Sequence, residues 1–443
     1  MPDIMLPMPH PGQRFVLENK RRRNMIIAGR RWRKTTLAMS QAVIGAVQGL
    51  TVFWGSPTYK QTEIGWWETQ KAVRNSAEFT KGNMVASFPG GGRIIFRSLD
   101  IPENSKGYSP QRVILDEAGD LSEEAYYEVV LPMLIDNDGE MWIIGTPRGK
   151  NWLYLESLNF QARSDYCLFV NAPSLGCDRN PLTYELERIP HPLENPDIKF
   201  SEVQNLYNTT PWHTFQQEVI AVFTDSFGSV FGDVASVVQF GLVGHISQLE
   251  TPDGLSYVGG LDLARVNDYT VASVFRTDGK QMAIYRFNGL SWEAQIERVI
   301  SITEEYKCSW SIDSTNIGAP IIERLKNLLS DTRLAVSIEE VYFTPQNKKS
   351  LIDGLIVAIE KKNIELLDDA AQYKEMTSYT YKETPTKLLK TSAPKGQHDD
   401  IVIANALAVK QLGFAIPAHS SDITFEEHTV STTRKEYFSY SRA

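Results

Sequence analysis

Short apolar runs alternating with helix-length stretches dominate the first half of the chain. Asn24-Met25-Ile26-Ile27-Ala28 is an apolar run of strand length, followed by a polar turn, Gly29 to Thr35, and then by residues 36–47, rich in Ala, Met and Leu, which read as a helix. Residues 51–54, 93–96, 113–115 and 141–144 have the same buried-strand character. Buried strands interleaved with helices predict a mostly parallel α/β sheet.

The pattern changes after a glycine-rich stretch, about residues 227–255, that contains Gly228, Gly232, Gly241, Gly244 and Gly254 and reads as a connector. Residues 257–263, 270–276 and 281–288 are three β-rich runs, and Thr277-Asp278-Gly279-Lys280 supplies a hairpin turn between the last two. Helices at 292–306 and 320–329, strands at 309–312 and near Val341, and helices at 351–361 and 400–413 complete the order. Three antiparallel strands followed by alternating α and β elements is the order of an RNase H-like sheet. The last 28 residues, 416–443, are rich in Ser and Thr and read as a polar tail.

Composition narrows the possibilities. The 443 residues leave room for two or three domains, and a 42% hydrophobic, 22% charged chain can build ordinary cores, which excludes a disordered or fibrous protein. Three cysteines, Cys167, Cys177 and Cys308, are widely spaced and form no metal-ligand cluster, as expected in a reducing compartment. Pro2, Asp3 and Pro7 stand where a secretory leader would be basic and then apolar, and no apolar run reaches the roughly 18 residues of a membrane span. The expectation is a soluble, intracellular protein with no membrane partner. The formal net charge is −9, yet eight cations fall within the fifteen residues from Lys20 to Lys34, so a local anionic partner or a solvated basic flank is implied.

That basic segment contains the first chemical constellation. A phosphate loop needs backbone N–H groups at a helix N-terminus, a lysine for the β/γ oxygens and a hydroxyl for Mg²⁺. Gly29, Lys34 and Thr35 stand at the required offsets, with Arg30, Arg31, Trp32 and Arg33 between them; Arg33 occupies the place of the usual second glycine. Further on, the apolar run Val113-Ile114-Leu115 ends in Asp116-Glu117, a Walker B arrangement that sets an aspartate beside the metal and a glutamate beside a water. A third run ends in Gly145-Thr146-Pro147 and offers a hydroxyl suited to sensing the γ-phosphate. Three strand-end signals in this order point to an ATP-hydrolysing site using ATP with Mg²⁺.

The second constellation is acidic. Asp262 lies within an apolar strand, where an unpaired carboxylate is costly; Asp313 ends another, and Asp399 and Asp400 open the last helix. On an RNase H-like sheet these positions converge and could hold two divalent ions, Mg²⁺ or Mn²⁺, for phosphodiester hydrolysis. Asp268 is a possible extra ligand, and His398 could orient a water or a carboxylate. Asp399 also suits an ordinary N-cap, and Asp268 an ordinary turn.

Together the motifs resemble the large terminase subunit of tailed bacteriophages. The resemblance rests on the arginine-rich loop 29–35, Ser56-Pro57-Thr58-Tyr59, Leu115-Asp116-Glu117-Ala118, Gly145-Thr146-Pro147, Gln217-Glu218 with Phe223, Gly260-Leu261-Asp262, Ile312-Asp313 and His398-Asp399-Asp400, and it covers roughly residues 20–415. It implies a P-loop packaging ATPase (1–226), a linker (227–255), an RNase H-like (RuvC-like) nuclease domain (256–415) and a polar tail (416–443). It further implies ATP-driven movement of double-stranded DNA into a procapsid and metal-dependent cutting of concatemeric DNA. The implied partners are the portal protein, the small terminase subunit and copies of the chain in a ring on the portal, in the host cytoplasm. By the same resemblance Lys34 and Thr35 bind triphosphate and Mg²⁺, Asp116 supports the metal, and Glu117 is the hydrolytic base. Thr146 couples hydrolysis to movement, Tyr59 or Gln61 contacts adenine, and Asp262, Asp313, Asp399 and Asp400 bind the nuclease metals. The family often has Arg-Gly about ten residues before Asp116, where this chain has Lys106-Gly107; Lys106, or alternatively Arg30 or Arg33, would supply the activating cation. Two other readings stay open: a repair or recombination nuclease with a translocase, and a nucleotide-binding assembly protein without turnover.

Overall fold

The computed structural model describes residues 4–224, 230–239, 254–264, 268–315, 319–331, 334–383, 389–392, 398–413 and 437–439. The chain divides into two compact units, one built mainly from residues 1–204 and 213–225, the other mainly from 226–423.

The first unit is built on an eight-stranded sheet. Its strands are β1 (Arg23–Ala28), β2 (Thr51–Ser56), β3 (Glu78–Thr80), β4 (Val85–Ser87), β5 (Arg93–Ser98), β6 (Arg112–Leu115), β7 (Glu140–Gly145) and β8 (Cys167–Ala172), in the order β3-β4-β5-β2-β6-β7-β1-β8. The six from β5 to β8 in that order run parallel, and β3 and β4 add an antiparallel edge. Alternate residues of β1 go to opposite faces: Ile26 and Ala28 join one buried cluster with Leu37, Ala38 and Ala42, while Met25 and Ile27 join another with Phe53, Trp152 and Leu153. Continuous apolar strands are what a sheet covered on both faces requires. Helix α1 (Pro11–Asn19) precedes β1, α2 (Lys34–Val47) and α3 (Tyr59–Val73) follow β1 and β2, and α4 (Trp152–Ala162) follows β7. Strand β8 is not among the strands expected, although Cys167-Leu168-Phe169-Val170 is a short apolar run; within the strand Cys167, Val170 and Ala172 are the buried positions.

The basic cluster at 20–23 is partly used by this fold. Arg22 pairs with Asp138 at 3.0 Å, and Arg23 donates to the Gly139 carbonyl.

In the second unit β9 (Tyr257–Asp262), β10 (Thr270–Arg276), β11 (Gln281–Phe287), β12 (Ser309–Asp313) and β13 (Ile338–Val341) form a sheet of order β11-β10-β9-β12-β13. Strand β10 pairs antiparallel with both β9 and β11, whereas β12 lies parallel to β9 and β13 parallel to β12. This is the RNase H-like arrangement. Helices α5 (Trp292–Tyr306), α6 (Ala319–Asp331), α7 (Pro345–Glu360), α8 (Ala370–Ser378) and α9 (Asp400–Leu412) accompany it. Helix α7 starts at Pro345, earlier than the apolar pattern suggested, because Thr344 and Asn347 form a reciprocal cap there. Val230, Phe231, Val234 and Val237, expected in a connector, are buried in this unit's core with Ile352 and Phe275. Residues 240–253 of that connector lie outside the described residues, as does the tail except Tyr437–Ser439, which pairs antiparallel with Met5–Pro7. No helix among the described residues is long and apolar enough to cross a membrane.

Helix α9 lies directly on β9. A Cβ at Gly260 would collide with the Ala404 carbonyl oxygen and come within 2.6 Å of the Ala408 nitrogen, both backbone atoms that cannot rotate away. Gly260→Ala should therefore lower stability by about 1–3 kcal/mol, as overpacking does, and weaken any activity that depends on the α9 N-terminus. Chemical denaturation checks the first effect; wild-type stability in this variant would mean that α9 does not sit this close.

Candidate phosphate-binding loop and acidic site

Three parallel strand ends meet around Lys34. Strand β7 stands between β1 and β6, so Thr146 at its end lies between the loop after β1 and Asp116 after β6. The buried Lys34 Nζ donates to the carbonyls of Ala28 (2.7 Å) and Gly29 (3.1 Å) and to Thr146 Oγ1 (3.1 Å). Burial lowers its pKa, and the carboxylates of Glu117, Glu218 and Asp116 work in the opposite direction. Thr35 Oγ1 lies 3.2 Å from Asp116 Oδ1. Burial, with Glu117 adding repulsion, pushes the Asp116 carboxyl up to about 7, against the hydrogen bond from Thr35. Glu117 is half-buried with φ of +52°, a turn that brings its own N–H back to Asp116 Oδ1 at 3.1 Å.

The loop follows a constrained path. Arg31 and Arg33 both have left-handed backbones, φ +61° and +66°, and an L-residue there costs roughly 1–2 kcal/mol. Four neighbours hold that path by taking the loop's carbonyls or burying its one aromatic. Gln13 Nε2 donates to Arg33 O (2.9 Å), Asn195 Nδ2 to Arg31 O (2.8 Å), Ser174 Oγ to Arg30 O (2.6 Å), and Trp32 is fully buried edge-on to His10. A Cβ at Gly29 would strike Ser174 and the Val219 carbonyl, so the first glycine is needed for close approach.

Sequence reasoning left one part of this site without a role. Glu218, 1% exposed, bonds the guanidinium groups of both Arg30 and Arg148, and Arg148 Nε reaches Asp120 at 2.9 Å. Burial opposes ionisation of Glu218, but the two arginines outweigh it and hold its carboxyl below the usual range. Glu218 sits in a π-helical turn, Gln216–Ile220, whose backbone also accepts Arg30 N (2.7 Å) and Ser174 N (2.7 Å). The signal available was the Gln217-Glu218 pair together with an arginine two residues after Thr146.

Other expected residues stand apart from the loop's contacts. Tyr59 is half exposed with its hydroxyl near Met84 Sδ, and Gln61 is bonded by Thr58 Oγ1 at 2.8 Å, both in the first turn of α3. Lys106 is exposed and 3.9 Å from Glu103. Of the alternative cations, Arg30 is taken up by Glu218 and Arg33 pairs with Asp197 at 2.9 Å.

The acidic site is built on neighbouring strand ends. Leu261 of β9 is in register with Ile312 of β12, so Asp262 and Asp313 end the two parallel strands side by side. Asp262 closes β9 rather than lying inside it. Its carboxyl is held well above the usual range by burial and by Asp400, Asp313 and Asp399, with Lys348 opposing. Burial and the nearby Asp268 and Glu375 push Asp400 up to about 7, while His398 pulls the other way. His398 Nδ1 lies 2.8 Å from Asp268 Oδ1 and 3.5 Å from Asp400 Oδ2. Ligand atoms of Asp268, His398 and Asp400 lie within 4.8 Å of one another. Among the described residues the buried Asp400 Oδ2 has no hydrogen-bond partner. An orphaned carboxylate oxygen among mutually repelling acids fits a divalent-cation site. Asp399, expected as an N-cap, makes no capping bond; its Oδ2 lies 3.3 Å from Lys348 Nζ.

No family model matches the chain. Two curated relatives, the "Terminase, large subunit" proteins of Thermus virus P23-45 and of Thermus phage G20c, are each 28% identical over 435 residues, spanning 91% of this chain and 87% of theirs. Among solved structures, the large terminase of another thermophilic bacteriophage matches with a TM-score of 0.51 at 13% identity, covering 91% of this chain and 99% of that one. That likeness extends the observed fold across both units.

The raised Asp400 carboxyl has a definite pH signature. Unfolded, it titrates near the usual value of about 3.9; folded, near 7. Below pH 4 both states are protonated and nothing is lost; between 4 and 7 the unfolded state ionises first, so stability falls as pH rises. Asp400→Asn, without divalent ions, should therefore be more stable than wild type at pH 8 by about 1–3 kcal/mol, the gain vanishing towards pH 4. Melting temperatures in chelator across that range test it, and an equal or lower melting point at pH 8 would refute the crowding of charge.

Proposed function

We propose that this chain, a relative of the large terminase subunits of tailed bacteriophages along 91% of its length, hydrolyses ATP to drive double-stranded DNA into a procapsid and cuts that DNA at a metal-dependent nuclease site. The proposed division is an ATPase over residues 1–226 and a nuclease over 256–415, with the intervening segment 227–255 contributing Val230, Phe231, Val234 and Val237 to the second unit's core, and the polar segment 416–443 following. The observation that carries the reading is the presence in one chain of a Lys34–Thr146 and Thr35–Asp116 pocket at parallel strand ends and of an Asp262–Asp313–Asp400 cluster on an RNase H-like sheet.

In the ATPase, the loop's helix N-terminus and Lys34 bind the triphosphate, and Thr35 with Asp116 holds its Mg²⁺. Glu117, kept beside Asp116 by its left-handed turn, orients the attacking water and takes its proton. Thr146 touches Lys34 directly, so a change at the γ-phosphate is felt at the end of β7. In the nuclease, Asp262, Asp313 and Asp400, with Asp399 and Asp268 beside them, would hold divalent cations. Bound there, such cations supply Lewis-acid stabilisation of the phosphodiester's leaving and attacking oxygens. His398 fixes the carboxylate of Asp268 and stands 3.5 Å from Asp400. The activating cation at the ATPase is assigned to Lys106 of a neighbouring copy, since Lys106 is exposed and only loosely paired, 3.9 Å from Glu103, whereas Arg30 is bonded to the buried Glu218 and Arg33 pairs with Asp197 at 2.9 Å. The partners under this reading are DNA, the portal protein, the small terminase subunit and further copies in a ring at the portal vertex, in the host cytoplasm.

Phosphate release measured beside digestion of supercoiled plasmid with Mn²⁺ separates the two activities. Glu117→Ala should lower phosphate release by about 100-fold or more and spare cleavage; Asp262→Ala should abolish cleavage and spare phosphate release. Loss of both activities in either variant would undo the two-site reading. Arg33→Gly, which relieves a left-handed backbone worth about 1 kcal/mol, should keep or raise phosphate release. A collapse on that change would make the Arg33 side chain a phosphate ligand.

A further inference from the structure

Helix α9 delivers Asp400 to the acidic cluster, yet the residue in its capping position does not cap it. Four N–H groups at a helix start need acceptors from outside the helix, and the Asp399 carboxylate is directed to Lys348 of α7 instead. The acceptor comes from a different helix: Glu375 of α8 takes the Ile401 N–H on its Oε2 at 2.9 Å. Its other oxygen, Oε1, is 3.1 Å from the guanidinium of Arg286 on β11. Arg286 in turn lies over the Tyr269 ring at 3.7 Å, and Tyr269 stands edge-on to His398, the residue beside Asp268 and Asp400.

A second tie fixes the same two helices. Gln372, one turn before Glu375 on α8, accepts from Asn405 Nδ2 at 2.7 Å, and its amide donates to Gln281 Oε1 and the Leu367 carbonyl. The two acceptors on α8 are three residues apart and the two donors on α9 are four apart, so each pair lies on one helix face. Helix α8 is thereby locked to α9 at its first turn and again one turn later.

We propose that Glu375 is a positioning residue of the nuclease site: by capping α9 from α8 it fixes the helix start, so that neither Asp399 nor Asp400 is spent on capping and the Asp400 carboxylate is left to face cations. This rests on the nuclease reading above. A local N-cap would have used one of those carboxylates for the Ile401 or Val402 N–H; supplying the acceptor from α8 removes that competition.

Three full-length variants test the role. Glu375→Ala removes the acceptor; Glu375→Asp keeps the charge but is too short by one methylene; Glu375→Gln keeps the reach and an acceptor oxygen while losing the charge. Plasmid cleavage against Mn²⁺ concentration is the readout, with phosphate release as the control for folding. The half-saturating Mn²⁺ concentration should rise by about 10–100-fold in the Ala and Asp variants, as it does when groups supporting metal ligands are lost. It should stay near wild type in the Gln variant, and phosphate release should be unchanged in all three. Should Glu375→Ala fail to fold, the Asp and Gln variants alone decide. An Asp variant like wild type, or a Gln variant as impaired as Asp, overturns the capping role in favour of charge alone or no role. Absence of Mn²⁺-dependent cleavage by the unsubstituted protein overturns the nuclease reading itself, and this role with it.

Discussion

The approach of α9 to β9, backbone against backbone, decides where the carboxylates of the second unit stand. It is possible because residue 260 has no side chain, and Gly259 beside it leaves room for the Trp310 ring on the other face. With the helix lying on the strand, the α9 start falls at the carboxyl end of β9, where Asp262 is, and the parallel register of β12 adds Asp313. Four acids drawn together by packing of this kind repel one another, which is why Asp262 and Asp400 ionise so reluctantly. The apolar core under α9, with Ile401, Val402 and Leu407 fully buried, supplies the free energy that holds the charges in place.

The phosphate loop meets a different constraint, backbone strain. A glycine at 33 would take the left-handed conformation without cost; an arginine does not. The chain offsets this with contacts far apart in sequence: Gln13 before the loop, Ser174 after β8, Asn195 and the Glu218 turn beyond it. Each takes or gives a backbone hydrogen bond, and the buried Trp32 anchors the centre. The bonds are individually worth about 1 kcal/mol, so several are needed to outweigh two left-handed residues.

Much of this was legible in the sequence because it is local. Five of the parallel strands announce themselves as apolar runs, and the offsets of Lys34, Thr35, Asp116 and Thr146 survive unchanged into a pocket. Asp262 stood out because a carboxylate within so apolar a strand needs a reason, although the strand in fact ends at it. What escaped reading was non-local. Glu218 gains its meaning from Arg30 and Arg148, both distant in sequence, and Glu375 from an N–H on a helix that begins 25 residues later. Asp399 looked like a cap because aspartate before an apolar helix usually is one; only the neighbouring helix reveals the substitution. Tyr59 and Gln61 were placed by motif; in the structure their side chains meet Met84 and Thr58, contacts that the sequence does not reveal.

The two sites manage charge in opposite ways, and the difference matches the ligands proposed for them. Around the loop the signs alternate: Lys34 is balanced by Glu117, Glu218 and Asp116, and Glu218 by Arg30 and Arg148. A nearly balanced pocket suits a ligand that carries both signs, a triphosphate with its own Mg²⁺, because neither partner alone then leaves a large uncompensated field. In the acidic site, among the described residues, the basic side chains that face the carboxylates of Asp262, Asp313, Asp399, Asp400 and Asp268 are Lys348 and His398. Net negative charge at close quarters selects small, highly charged cations over any anion, and it keeps a phosphodiester backbone at a distance until those cations neutralise the acids. The charge balance of each site thus matches the ligand proposed for it: a nucleotide with its metal at the loop, divalent cations at the acidic cluster.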